Sequence, residues 1–136
     1  MQANFESRQG RVKYKDEVIY GFISNFNNFK QFIPEDKIKD FQSSEDHCRF
    51  SVPTLGEVGL RIIERDPFKT IKISGDGMGN QQFAFWVQLK KMEEEDTRIK
   101  FTISAEMNPM LKMMASKPLQ NFLDKLVDTM EQINFR

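Results

Sequence analysis

One cysteine, one histidine and one tryptophan in 136 residues remove several kinds of chemistry before any pattern is read. Cys48 has no partner in the chain for a disulfide, and with His47 as the single histidine the usual ligand set of a zinc site cannot be assembled. Neither sign of charge is in excess. Twenty basic and twenty acidic side chains cancel, so the basic stripe by which a nucleic-acid binder holds phosphates is missing. Long apolar runs are lacking too: the longest, 83–87, has five residues, whereas a membrane-spanning helix needs about 20. The opening Met1-Gln2-Ala3-Asn4-Phe5-Glu6 has neither the basic cap nor the apolar core of a signal peptide. With an unpaired cysteine, this points to a reducing, cytoplasmic setting. The length fits one domain, 1–136, able to bury about two-thirds of its unfolded surface without a metal or disulfide staple. No metal or cofactor is expected.

What is plentiful is Phe and Met: thirteen of sixteen aromatic residues are Phe, and there are eight Met. Phe supplies bulk without a polar handle and Met an adaptable filler. The bias reads first as a small domain packing its core with large side chains, and second as a pliable wall around a greasy cavity.

Residues 4–12 read as a weak first strand. Ile19, Phe22, Ile23 and Phe26 then fall at i, i+3, i+4 and i+7, one face of a helix, with Asp16 and Glu17 in its first turn. Phe29, Phe32 and Ile33 repeat the spacing briefly, and Pro34 ends it. Beyond Pro34 the period changes to two. Cys48, Phe50 and Val52 alternate with polar residues, as do Val58, Leu60 and Ile62, then Ile71 and Ile73, then Phe83, Phe85, Val87 and Leu89, then Ile99, Phe101, Ile103 and Ala105. Turn residues such as Pro53-Thr54, Asp66-Pro67 and Asp76-Gly77 separate the runs at antiparallel-meander intervals. Ile38 and Phe41 fall on opposite parities, which predicts a bulge. By the same alternation Trp86, Lys90, Lys100 and Thr102 point outwards.

Asn108-Pro109 is a cap followed by proline at the first helical position. Met110, Met113 and Met114 share a face, and Leu119, Phe122, Leu123, Leu126, Met130 and Ile133 continue an apolar stripe. Pro118 is expected to kink or break this helix.

Strand, two short helices, a meander and a long terminal helix resemble the START-like, helix-grip (SRPBCC) superfamily of lipid-transport-like proteins, polyketide cyclases and dehydrases. The local wording is similar as well. Glu17-Val18-Ile19-Tyr20-Gly21-Phe22-Ile23-Ser24-Asn25 resembles the superfamily's first helix, Phe32-Ile33-Pro34 the end of its second, and Pro118-Leu119-Gln120-Asn121-Phe122-Leu123 part of its closing helix. The first strand departs from the pattern in being polar and carrying Gly10. The resemblance implies an α+β fold: a curved antiparallel sheet of six to seven strands around a long C-terminal helix, with two short helices after the first strand.

The residues offer little catalytic chemistry. His47 sits on the polar parity beside Cys48, which takes the inward one as a small core residue. Gly75-Asp76-Gly77-Met78-Gly79 lies between strands, so it is a hairpin turn and not a dinucleotide loop. Glu93-Glu94-Glu95-Asp96 reads as a solvated turn. Of polar residues, the inward parities hold Glu64 and Gln81, with Ser7 and Gln9 in the first strand, and general acid–base work needs better-placed groups.

Three functions are therefore ordered. Binding of a small hydrophobic ligand, lipid-like or polycyclic, comes first. Its lining would be Phe50, Val52, Leu60, Ile62, Ile73, Phe83, Phe85, Val87, Phe101, Ile103, Met110, Met113, Met114 and Phe122, the three Met at the entrance. A protein partner, as for the superfamily's chaperone-activator and ribosome-associated branches, comes second. A cyclase or dehydratase activity comes last.

Overall fold

The computed structural model describes residues 2–32, 38–52, 56–77 and 81–135. Two short strands open it, β1 (Gln2–Glu6) and β2 (Gly10–Val12). Helix α1 (Asp16–Ile23) and a 3₁₀ helix (Phe26–Phe32) follow. Six strands then run as a meander: β3 (Lys39–Ser43), β4 (His47–Val52), β5 (Gly56–Asp66), β6 (Thr70–Gly77), β7 (Gln81–Glu93) and β8 (Asp96–Glu106). Helix α2 (Pro109–Gln132) closes the chain. Every pairing is antiparallel, in the order β1-β8-β7-β6-β5-β4-β3, with β2 also on β8. This is the helix-grip arrangement, with eight strands where six to seven were expected.

The extra strand arises because the polar first strand is interrupted. The Ser7 amide donates to Phe101 O (2.8 Å), and the Phe101 amide donates back to the Ser7 hydroxyl (2.9 Å). Pairing resumes only at Gly10, opposite Ile99. Helix α1 also stops short of Phe26, which its spacing includes. Asn25 Oδ1 accepts from the Asn27 amide (2.9 Å), a local turn that competes with the helical ladder, and Phe26 instead starts the 3₁₀ segment. Ile33 and Pro34, expected to end the second helix, lie outside the described residues, as do the turns at 53–55 and 78–80.

Two bulges matter. The one expected in β3 falls between Lys39 and Gln42, where Asp40 takes φ 56°. A second, between Ile62 and Glu64, reverses the parity of β5: Glu64 pairs with Lys72 on the outer face, and Arg65 pairs with Ile71. The expected inward position of Glu64 is thereby corrected. An extra residue in a strand flips every side chain beyond it, and strict alternation cannot anticipate that.

On the inner face the strands form rows. Cys48, Leu60, Gly75, Phe83, Ala105 and Ala3 pair successively across one row; Ile62, Ile73, Phe85, Ile103 and Phe5 across the next. Helix α2 lies chiefly over β1, β2 and β8. It is capped by Asn108, whose side chain accepts from the Leu111 amide (2.8 Å), and it runs unbroken through Pro118. The expected break does not occur. The one hydrogen bond lost is outweighed by anchors on both sides of Pro118, Leu111 and Ala115 against the core before it and Leu119 with the fully buried Leu123 and Val127 after it.

The second half of α2 is latched to the first-strand interruption by polar groups. The Arg8 amide donates to Asp124 Oδ1 (2.8 Å), its guanidinium pairs with Asp128 and with Glu131 (2.7 Å), and the Arg11 amide donates to the same Glu131 (2.9 Å). Hydrogen bonds from Arg8 and then from the Arg11 backbone hold the Glu131 carboxyl below its ordinary 4.5. A depressed acid contributes stability above its unfolded value and loses it as pH falls through the folded one. Glu131→Gln should therefore lower the melting temperature at pH 7, and the gap to the unmodified protein should close as pH is taken well below 4.5. Thermal melts across that range check this. The pair is partly exposed, so the effect should stay within about 1 kcal/mol.

Candidate ligand groove

The two halves of α2 meet the sheet differently. Leu123, Val127 and Met130 are buried on β1, β2 and β8. In the first half Leu111, Ala115 and Leu119, spaced i, i+4 and i+8, are the partly buried apolar residues against the core. At the C-terminal end Tyr14, Phe135, Phe22 and Phe29 form a chain of edge-to-face rings, with centroids 5.0, 5.2 and 5.4 Å apart. That end is sealed by aromatic packing.

The expected lining residues separate into three groups. Ile62, Ile73, Val87, Phe101 and Ile103 are buried and form the floor of the inner face. Phe50, Leu60, Phe83 and Phe85 are only half-buried, on strands that α2 does not chiefly cover. Met110, Met113 and Met114 are 72%, 80% and 70% exposed, and Phe122 is 46% exposed. None of the three Met is a core contact; at 100° per residue they lie on the far side of the helix from Leu111, Ala115 and Leu119. The side chain of Val52 is outside the described set.

Two participants escape a reading of the sequence. Phe41 lies near-parallel to Phe50, centroids 6.2 Å apart, and the bulge in β3 hides its parity. Gly75 looks in the sequence like part of a turn. It lies within β6 opposite Phe83, and a Cβ there would stand 2.2 Å from Phe83 Cζ. A glycine inside an alternating strand is a general sign of close approach.

Arg65, on the inner parity of β5 beyond the bulge, is already engaged. Arg65 donates to Ser24 O (3.1 Å) and pairs with Asp46 (2.6 Å). Burial pushes the Cys48 thiol up to about 12, which keeps it a protonated, inert core group. Asp96, buried at the start of β8, stands 3.4 Å from Arg11 and 3.7 Å from Arg98. His47 is exposed, its Nδ1 2.6 Å from Ser44 Oγ. Among the described residues no three His, Cys, Asp or Glu side chains converge as a metal site, and no helix is long and apolar enough to cross a membrane.

The outer face carries Trp86 with the Lys72 ammonium 5.6 Å above its ring, as the alternation requires. Two hollows lie on that side, one of about 170 Å³ along Gln88, Lys90, Arg98 and Lys100, one of about 260 Å³ along Glu64, Asp66, Lys72 and Trp86. The first also borders Gln9, Leu89 and Ile99, the second is lined mostly by charged side chains, and both fall short of the roughly 300 Å³ at which small-molecule pockets begin. The apolar candidate is the inner face of the sheet, where Phe50, Leu60, Phe83 and Phe85 are each only half-buried.

Residues 9–134 match the family model of CoxG, a carbon monoxide dehydrogenase subunit. No curated protein matches the sequence. Among solved structures, a START superfamily protein from Mycobacterium smegmatis is similar over 98% of this chain and 99% of its own, with 16% identity and a TM-score of 0.66. Norcoclaurine synthase from Thalictrum flavum, solved with dopamine and hydroxybenzaldehyde, matches over 97% and 86% with 12% identity and a TM-score of 0.74. The Aha1 dimer from Colwellia psychrerythraea matches over 96% and 97% with 19% identity and a TM-score of 0.65. These likenesses agree with the helix-grip fold.

Proposed function

We propose that this chain, which belongs to the CoxG family of carbon monoxide dehydrogenase subunits, binds a small hydrophobic molecule between the inner face of its sheet and the first half of α2. One observation carries the reading. Phe50, Leu60, Phe83 and Phe85 keep apolar surface exposed on a concave face, although the second half of α2 is firmly latched. A surface of that kind is costly in water unless something occupies it. Ile62, Ile73, Val87, Phe101 and Ile103 would form the base, and Phe122 would stand at the rim. Norcoclaurine synthase, of similar fold, is solved in complex with dopamine and hydroxybenzaldehyde; at 12% identity that lends a precedent for the fold and no residue roles.

Native mass spectrometry of gently purified protein, followed by solvent extraction, tests the proposal. The expected result is a retained mass that disappears in a Leu60→Asn/Phe85→Asn variant. A bare chain mass, together with no uptake of an apolar dye, would overturn it.

A protein-docking role is the second reading, favoured by the exposure of Met110, Met113 and Met114. Such side chains re-pack readily around varied surfaces. Replacing all three with Gln separates the roles: lost or slowed ligand uptake makes them the entrance of the groove, and unchanged uptake leaves their face to a partner.

A further inference from the structure

Resting on the groove reading, one contact on its floor bears on the shape of the ligand. Phe83 on β7 pairs with Gly75 on β6 and with Ala105 on β8. Side chains normally stand up from a sheet, but a Cβ on Gly75 would lie 2.2, 2.3 and 2.8 Å from Phe83 Cζ, Cε2 and Cδ2. The ring therefore leans down across the bare backbone of Gly75, into space that any other residue would fill. Phe83 nevertheless remains half-exposed, so a leaning ring turns part of its surface towards the groove. Two further ring pairs lie on strands of the same sheet, Phe85 at 31° to the plane of Phe101 (5.8 Å) and Phe41 at 25° to that of Phe50 (6.2 Å).

We infer that Gly75 and Phe83 determine specificity by selecting a flat, uncharged ring system over a flexible acyl chain. A flat ligand can lie on the lowered Phe83 ring in offset contact and loses few rotamers on binding. An acyl chain gains no stacking there and must freeze several torsions. Gly75 is the condition for this geometry, since a methyl at that position would lift the ring into the groove.

Two fluorescent probes test the idea, 1-aminoanthracene as the flat ligand and the methyl ester of parinaric acid as the chain. Phe83→Leu should weaken the flat probe by about 2- to 12-fold, the worth of one aromatic contact, and leave the chain probe unchanged or tighter. Gly75→Ala should weaken the flat probe similarly. Combining it with Phe83→Leu should cost no more than Phe83→Leu alone, because both act through one ring. Thermal melts confirm folding, and should Gly75→Ala fail to fold, Phe83→Leu decides by itself. If both probes bind and Phe83→Leu leaves the ratio of their Kd values unchanged, the selectivity inference falls and the groove stands. If neither probe binds the unmodified protein, the groove reading falls and takes the inference with it.

Discussion

Phe101→Ala should lower the unfolding free energy by about 3–5 kcal/mol, the range for truncating a fully buried aromatic. Phe101 is 5% exposed, lies opposite Val87 in the middle of β8 and packs its ring on Phe85. The space cannot collapse easily. The backbone on its other side is fixed by the paired hydrogen bonds with Ser7, and Ile71, Ile99 and Leu123 in the same core are fully buried. Urea unfolding should show a lower midpoint with an unchanged slope, the mark of lost stability without a changed unfolded state. Lys100→Ala, one residue away on the outer parity, should stay within about 0.5 kcal/mol as other surface changes do. A near-neutral Phe101→Ala would mean that the register of β8 is shifted by one residue.

That register is readable because β6, β7 and β8 alternate cleanly, and the change from helical to two-residue period after Pro34 marks where the sheet begins. What escapes the sequence has specific causes. Glu64 goes to the outer face because a bulge after Ile62 adds a residue that no local pattern announces. Phe26 leaves its helix because the side chain of Asn25 bonds the backbone two residues on. On α2, Met110, Met113 and Met114 form an apolar face of their own, but Leu111, Ala115 and Leu119 are the ones that pack against the core. Two apolar faces on one helix compete, and only the position of the sheet decides between them. Gly75 is visible as a glycine. Its meaning depends on a ring from the next strand, since Phe83 reaches it only through cross-strand pairing.

The polar first strand and its glycine, a departure from the superfamily pattern, lead to a measurable consequence. Gly10→Ala should destabilise the protein by about 1–3 kcal/mol, the usual result of forcing a methyl into a close-packed contact. A Cβ on Gly10 would stand 2.4 Å from Val127 Cγ1 and 3.1 Å from Ile99 Cγ2, and both those residues are fully buried. Backbone strain is no part of the effect, because Gly10 is not among the glycines at positive φ. Relief requires α2 to move off β2, which would also stretch the hydrogen bond from the Arg11 amide to Glu131. Val127→Ala vacates the contested space at the cost of a small cavity. The double variant should therefore be more stable than the two single losses predict, with a coupling of about 0.5–3 kcal/mol as for residues in direct contact. Denaturant melts of the four proteins measure it. Additivity within about 0.5 kcal/mol would mean that helix and strand do not approach as closely as Gly10 permits. The first half of α2 would then no longer be held over the groove by a fixed second half.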